Sequence, residues 1–146
     1  MTFGISEQLI GLTEPYPLEE VDTPCQSIVT RPWGQYRDLF RSTQYVLKTI
    51  TVKPGAKLSL QYHIHRGEIW KVLKGQGRVY QEVPGMDHPG DGITMAALPG
   101  DLFEIGVGDI HRIENTGSVD LVILELQFGE CSETDIVRIE DDWGRK

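Results

Sequence analysis

The stretch of the sequence richest in potential metal ligands is SLQYHIHRGEIW, at residues 59–70. Side chains alternate between the two faces of a strand, so Gln61 and His63 point the same way, and Glu68 follows after a short bend. A further histidine, His111, comes directly after a tight turn. Imidazole, carboxylate and amide groups together suit a divalent first-row ion. The sequence therefore predicts a metal site made by Gln61, His63, Glu68 and His111; the alternative is a polar lining in a metal-free interior.

Short β-branched strands separated by turns must position these residues. No segment with helical periodicity competes with them, except the polar C-terminal stretch. We expect Ile110–Glu114 and Leu121–Gln127 to pair across the turn at Asn115–Gly117. This pattern is typical of an antiparallel sandwich or a small barrel. The other predicted strands are Tyr45–Val52, Lys57–His65, Ile69–Leu73, Gly77–Val83, Ile93–Leu98 and Leu102–Ile105, with a loop at 84–92.

Composition excludes several classes of protein. A formal net charge of −8 argues against a general nucleic-acid binder. No apolar run approaches the length of a membrane span, and the N-terminus lacks the basic and apolar regions of a signal peptide. Cys25 and Cys131 lie far apart and are predicted to be free thiols. We therefore expect a cytoplasmic protein that binds neither nucleic acid nor membrane.

The domain organisation predicted from the sequence is simple. Its 146 residues fit one domain with a hydrophobic core. Residues 1–29 are acidic and weakly periodic, so we interpret them as an N-terminal arm with one edge strand and a short helical turn near Ser6–Ile10. Residues 30–146 form the domain. The arm has little core of its own and could pair with a neighbour's sheet edge, which favours a homodimer.

The spacing of the candidate ligands resembles a known pair of motifs. From Gly55 there are five residues to Gln61, then one to His63, four to Glu68 and six to Gly75. A second series runs from Gly100 through Gly106, Gly108 and His111 to Asn115. Both series resemble the bipartite motifs of the cupin superfamily, with Gln61 in place of a histidine and Gly106 in place of a proline. The resemblance implies an all-β cupin-type double-stranded β-helix, a small jelly-roll barrel.

A closer resemblance rests on five segments in order: RPWGQY, VKPGAKLSLQYHIHRGEIW, GDIHRIENTG, LELQFG and DIVRIEDDWGR. Together they are similar to the mannose-6-phosphate isomerase domain of the type II family, whose E-H-W is Glu68-Ile69-Trp70 here. That domain usually follows a nucleotidyltransferase domain; 146 residues leave no room for one, so we expect it to stand alone. The resemblance implies interconversion of mannose 6-phosphate and fructose 6-phosphate through an enediol. It also implies a divalent metal ion, zinc first, with cobalt, manganese or nickel as alternatives.

Three further residues are catalytic candidates for that reaction. His65 shares strand parity with the ligands and is the first candidate for the proton shuttle; otherwise it is a solvent-facing histidine. Arg66 could bind the phosphate or steady the enediolate, or it could cap a bend at the surface. Lys57 has the same strand parity as the ligands and is a second basic candidate, with solvent exposure as the alternative. Arg138 and Arg145 could close over a sugar phosphate or belong to a salt-bridged tail.

Two other functions compete with the isomerase. One is a non-catalytic cupin that binds sugars or nucleotide sugars, and the other is another metal-dependent cupin enzyme such as an oxygenase, since fold does not fix function. An oxygenase would be expected to hold iron in a histidine-rich shell, which Gln61 disfavours. Arginines near the metal favour a phosphorylated substrate over a neutral one.

Overall fold

The computed structural model describes residues 27–85 and 90–146. Within these ranges the chain is built from eleven β-strands and contains no helix. The predicted helical turn near Ser6–Ile10, most of the predicted arm and Cys25 lie outside the described residues. The strands are β1 (Val29–Arg31), β2 (Gly34–Arg41), β3 (Tyr45–Val52), β4 (Leu60–Tyr62), β5 (Arg66–Lys74), β6 (Gly77–Glu82), β7 (Ile93–Ala97), β8 (Leu102–Ile105), β9 (Ile110–Asn115), β10 (Leu121–Gly129) and β11 (Val137–Glu140).

The strands form two antiparallel sheets. One sheet has six strands in the order β1-β2-β3-β10-β5-β8, and the other has five in the order β11-β4-β9-β6-β7. Buried residues alternate along β3, β9 and β10, as expected for strands with one face on an interior. The prediction of an all-β protein with two antiparallel sheets is confirmed.

The predicted pairing of the strands on either side of Asn115 is wrong. These strands, β9 and β10, lie in different sheets: β9 pairs with β4 and β6, whereas β10 pairs with β3 and β5. The Asn115 amide donates hydrogen bonds to the carbonyls of Val52 and Val119, both 2.8 Å away. The turn therefore carries the chain from one sheet to the other instead of closing a hairpin.

Two strand boundaries near the candidate ligands also differ from the prediction. The predicted strand Lys57–His65 is reduced to β4, and the following strand, β5, starts early, at Arg66. The cause is distant in sequence: the Asp135 carboxylate accepts the backbone N–H groups of Ile64 and His65, both at 2.9 Å, and so holds a bend there. At the C-terminus, the polar stretch considered for a helix contains β11.

The space between the sheets is divided into an apolar part and a polar part. Along β10 the inward side chains change from Leu121 and Ile123 to Glu125 and Gln127. Glu125 lies in register with Trp70 on β5 and with Lys48 on β3. The change from apolar to polar side chains therefore occurs at the same height on all three strands. Neighbouring strands change in the same way, from Val72 and Trp70 to Glu68 and Arg66 on β5, and from Val52 and Ile50 to Lys48 on β3. The core therefore fills one end and leaves a polar interior at the other.

Several predictions about organisation are only partly addressed by the fold. Val29, the last residue of the predicted arm, begins edge strand β1, and the boundary at residue 30 stays a prediction, as does the homodimer. Cys131 is a free thiol. Within residues 27–85 and 90–146, no helix has the length and apolar character needed to cross a membrane.

Candidate metal centre

Three of the four predicted metal ligands meet in the polar end of the interior. His63, Glu68 and His111 each offer an atom, and these atoms lie within 4.8 Å of one another. His63 Nε2 is 3.0 Å from Glu68 Oε1, and His111 Nε2 is 3.5 Å from Glu68 Oε2. All three residues are at least 98% buried. The bend after β4, the start of β5 and the start of β9 thus bring together residues that are up to 48 positions apart in sequence (111 − 63 = 48).

Hydrogen bonds fix which ring nitrogen of each histidine faces its neighbours. His63 Nδ1 lies 2.6 Å from the carbonyl oxygen of Asp135, and His111 Nδ1 lies 2.8 Å from that of Asp109. A carbonyl oxygen only accepts, so each Nδ1 carries the proton and donates it. Each Nε2 is then left as a lone pair that could bind a metal ion, and among the described residues it is buried without a hydrogen-bond partner. This is the arrangement by which carbonyl groups orient histidine ligands around a metal.

The cluster needs a positive charge at its centre. Two imidazole lone pairs and a carboxylate approach to 3.0–3.5 Å, and such acceptors repel unless a proton or a metal ion lies between them. Burial alone would raise the pKa of Glu68, but the facing imidazoles of His111 and His63, when they carry the proton and its charge, hold it well below its usual value. Burial would lower the pKa of His111, yet Glu68 raises it. Two nitrogens and a carboxylate are ligands suited to a divalent first-row ion, so these residues fit a metal.

The fourth predicted ligand, Gln61, lies beside the cluster. It is directly opposite His111 in the β4–β9 register, and its side chain is buried. Its Oε1 accepts a hydrogen bond from Ser59 Oγ at 2.5 Å. The structure therefore brings Gln61 to the predicted place, with its amide oxygen already engaged by a serine.

A second buried carboxyl group lies next to Glu68. The indole Nε1 of Trp70 donates to Glu68 Oε2 at 3.1 Å and to Glu125 Oε2 at 3.0 Å, and Gln127 Nε2 donates to Glu125 Oε1 at 2.7 Å. Burial and the negative charge of Glu68 raise the pKa of Glu125 to about 7, against the effect of Lys48. A pKa in this range suits a group that acts as an acid or a base near neutral pH.

The three predicted catalytic residues lie in different places: one is buried beside the cluster and two lie outside it. Arg66 is buried beside the cluster, with Nε 3.2 Å from Glu68 Oε1 and a second nitrogen donating to the Ser132 carbonyl at 2.8 Å. It does not cap a surface bend. His65 is exposed, because the strand that should have turned it inward ends at Tyr62.

Lys57 also lies outside the polar interior. Its ammonium group is 3.5 Å from Asp142 Oδ2, and it lines a groove on the outer face of the five-stranded sheet together with Arg112. The predicted inward parity fails because Leu58 and Ser59 are both buried, which breaks the alternation between Lys57 and Gln61.

A cavity of about 380 Å³ opens from the buried carboxyl groups to a wall of charged side chains. Sequence reasoning missed Lys48, Glu125 and Gln127, which line it. The alternation of β3 and β10 was visible in the sequence, but charged and amide side chains usually mark the outer face of a strand, so these residues were not expected inside. The remaining charged or polar residues that line the cavity are Arg31, Ser59, Gln61, Arg66, Glu68, Glu133, Arg138 and Arg145.

Comparison with known protein families shows to which family the chain belongs. The family described as mannose-6-phosphate isomerase C-terminal matches residues 19–141, most of the chain. The chain belongs to this family. The match begins inside the predicted arm, before the first described residue.

Curated relatives of this mannose-6-phosphate isomerase C-terminal domain are much longer proteins. The chain is 40% identical over 118 residues to the xanthan biosynthesis protein XanB of Xanthomonas campestris, covering 80% of the chain and 23% of that protein. It is 38% identical over 127 residues to the alginate biosynthesis protein AlgA of Pseudomonas aeruginosa, covering 86% and 24%. It is 37% identical over 118 residues to the mannose-1-phosphate guanylyltransferase ManC of Salmonella typhimurium, covering 80% and 23%. The chain thus spans about a quarter of the length of these relatives.

Solved structures establish the fold as a cupin-type double-stranded β-helix, as predicted. The capsular polysaccharide assembling protein CapF from Staphylococcus aureus aligns with a TM-score of 0.69 at 18% identity, over 82% of this chain and 33% of that one. An oxalate decarboxylase from Bacillus subtilis, described with Mn(II) centres, aligns with 0.67 at 22%, over 78% and 30%. A double-stranded β-helix protein from Klebsiella pneumoniae aligns with 0.59 at 16%, over 83% and 91%. At these identities the likeness concerns the fold alone.

Proposed function

We propose that this chain is a metal-dependent isomerase that interconverts mannose 6-phosphate and fructose 6-phosphate. The observation that carries the proposal is the pair of buried imidazole Nε2 atoms, on His63 and His111, directed at the shared carboxylate of Glu68 beside a cation-lined cavity. Family membership supports the same reaction, since the family is described by that activity.

The reaction moves the proton on C2 of the open-chain sugar phosphate to C1, and the hydroxyl proton on O2 passes to the neighbouring O1, by way of an enediol. His63, Glu68 and His111 would hold the metal ion, and Gln61 lies beside them. A bound divalent ion supplies Lewis-acid stabilisation to the sugar oxygen that gains negative charge. The Arg66 guanidinium, buried next to Glu68, adds positive charge at the same end of the cavity.

Glu125 is the acid–base group in this proposal. Its carboxyl group lines the cavity, and Trp70 and Gln127 hold it in place by hydrogen bonds of 3.0 and 2.7 Å. It takes the proton from C2 of mannose 6-phosphate and returns it to C1. The two carbon atoms are neighbours, so a single carboxylate reaches both without moving. This role replaces the one predicted for His65, which is exposed.

The test is conversion of mannose 6-phosphate by purified protein, stripped of metal and then given zinc, cobalt, manganese or nickel. We expect metal-dependent turnover that His63→Ala and His111→Ala abolish together with metal binding. Glu125→Gln should keep the metal and lose about 10²- to 10⁴-fold in kcat, the usual contribution of a general base.

His65→Ala is the matched histidine variant, because its side chain lies outside the cluster. Its metal content should equal that of the unmodified protein. A large loss of kcat in this variant, with Glu125→Gln active, would return the shuttle to His65. Absence of turnover with every metal, although His63 and His111 bind one, would refute the isomerase and favour a binding cupin.

A further inference from the structure

A second group of charged side chains lies in the same cavity, away from the metal ligands. Arg31 comes from the end of β1, Arg138 from β11, and Arg145 from the C-terminal segment. They belong to different elements but interact: the positive charges of Arg145 and Arg31 lower the pKa of Arg138, in addition to the larger effect of its burial. Like charges converge here on a space large enough for a ligand.

Arg138 faces the interior because of its register. It lies opposite Gln61 in the β11–β4 pair, and Gln61 lies opposite His111 in the β4–β9 pair. Paired residues share a face of a sheet, so these three side chains form a row across it. One guanidinium nitrogen of Arg138 donates to the main-chain oxygen of Lys146 at 2.8 Å, but its buried Nε has no hydrogen-bond partner among the described residues. A buried N–H group without an acceptor is costly, and a ligand oxygen would satisfy it.

The other cations of the cavity are already paired with carboxylates. Lys48 bonds Glu133 at 2.7 Å, Arg66 lies 3.2 Å from Glu68, and Arg145 bonds Asp141 at 2.7 Å. Among the described residues, Arg31 and Arg138 line the cavity without an ion pair. Arg31 donates to the Thr30 carbonyl and lies over the ring of Tyr36.

The charge and the distance fit a phosphate group. Arg31 and Arg138 bring two guanidinium groups with no aspartate or glutamate partner among the described residues, whereas Asp141 offsets Arg145; this positive wall complements a phosphate group. Arg138 lies two strands from His111, so their backbones are about 9.5 Å apart at about 4.8 Å per strand. From C2 to the phosphorus of an extended hexose 6-phosphate there are six bonds of about 1.5 Å in a zigzag, which span about 7–8 Å. The side chains of Arg138 and His111 extend from their backbones towards the two ends of such a ligand.

We propose that Arg138 and Arg31 form the phosphate subsite of this cavity, supported by Arg145. The inference rests on the proposed function, because it uses a sugar whose C1–C2 end lies at the metal centre. It assigns the phosphate to the far wall and not to Arg66, whose nitrogens already bond Glu68 and the Ser132 carbonyl. Planar guanidinium groups suit the paired oxygens of a phosphate.

The test is calorimetric titration of zinc-loaded protein with mannose 6-phosphate and, separately, with mannose. Arg138→Gln and Arg31→Gln should each weaken mannose 6-phosphate binding about 10- to 100-fold, the loss expected for charge-assisted hydrogen bonds, and leave any binding of mannose unchanged. Arg78→Gln is the matched control: Arg78 is an exposed arginine on the outer face, bonded to Glu114, and it should have no effect. In the isomerase assay, the subsite variants should raise KM more than they lower kcat.

The outcomes separate this inference from the proposed function. Tight binding of mannose 6-phosphate without turnover, weakened in Arg138→Gln, supports the subsite and refutes the isomerase. If the unmodified protein turns over mannose 6-phosphate, and Arg138→Gln and Arg31→Gln bind and convert it equally well, the isomerase is supported and the subsite is refuted. If the unmodified protein binds no hexose phosphate, the subsite is wrong. Should Arg138→Gln fail to fold by circular dichroism, Arg31→Gln and Arg138→Lys decide, since lysine keeps the charge and loses the fork.

Discussion

Asp135 connects the C-terminal segment to the candidate metal centre, and its replacement should affect both stability and the proposed metal binding. Its two carboxylate oxygens accept the N–H groups of Ile64 and His65 at 2.9 Å each, and its carbonyl oxygen accepts His63 Nδ1 at 2.6 Å. Asp135→Ala removes two hydrogen bonds to a charged acceptor and leaves two part-buried N–H groups unpaired. At about 1.5 kcal/mol each, the loss is about 3 kcal/mol. For a chain of this size that lowers Tm by about 6–12 °C.

The same substitution should weaken the metal site without touching a ligand. The bend that the carboxylate holds carries Ile64 and His65, next to His63, and the carbonyl that orients the His63 ring belongs to Asp135 itself. Groups that orient a histidine ligand are worth about 10- to 100-fold in metal affinity. We expect a loss of that size for zinc, measured by competition with a chromophoric chelator, and a smaller one in Asp135→Asn, which retains one acceptor oxygen.

The control for this experiment is Asp142→Ala. The Asp142 carboxylate is half exposed and makes one long ion pair, 3.5 Å from Lys57, so its removal should cost about 0.5 kcal/mol or less. Zinc affinity should stay unchanged in this variant. If Asp135→Ala melts at the same temperature as the control and binds zinc as tightly, the bend and the His63 orientation do not depend on Asp135, and the reasoning is refuted.

Two further predictions concern stability. Burial would raise the pKa of Glu133, but Lys48 and Arg41 outweigh it and hold the pKa at about 2. A carboxyl group with a lowered pKa stabilises the fold at pH values above its unfolded pKa of about 4.3, and this contribution is lost as the pH falls towards 2. Glu133→Gln should therefore lower the free energy of unfolding by about 1 kcal/mol at pH 7, a value that allows for the half-exposed side chain. Urea titrations should show this difference vanish near pH 2; a constant difference would contradict the ion pair. Gly75 has φ +81°, and a Cβ there would lie 2.5 Å from the Asp120 carbonyl oxygen, whereas Gly55 has φ +74° and open space around it. Gly75→Ala should therefore cost more than Gly55→Ala, which bears only the backbone strain of about 1–2 kcal/mol; equal costs in urea unfolding would show that the chain relaxes around the new methyl group.

Spacing was the part of the site that the sequence revealed best. Alternation along a strand places Gln61 and His63 on one face, and the spacing to Glu68 and His111 matches the motifs of a fold in which those strands meet. The structure brings all four residues to the same end of the interior. Local periodicity was sufficient here because each of these residues lies on a strand or directly beside one, and buried apolar residues such as Trp70 and Ile113 set the inner faces of β5 and β9.

Contacts between distant segments account for what the sequence did not reveal. His65 was predicted to face inward by continuing the alternation from Gln61, yet the Asp135 carboxylate, 70 residues away, bends the chain before it. The turn after Asn115 was predicted to close a hairpin. In the structure the Asn115 side chain donates a hydrogen bond to the distant Val52 carbonyl, which connects the turn to the other sheet. Neither hydrogen bond can be predicted from the residues near it in the sequence, because each joins distant segments.

The polar end of the interior contains groups that a ligand would complete. The apolar end closes without cost, whereas the other buries two imidazole nitrogens, an arginine Nε and a glutamine oxygen with no hydrogen-bond partner among the described residues. Each such group costs about 1–3 kcal/mol. The nitrogens of His63 and His111 lack a cation, and the Nε of Arg138 lacks an anion, so the unmet needs at the two walls are opposite in sign. A metal ion on one wall and a phosphorylated sugar spanning the cavity to the other would satisfy both, which neither ligand does alone.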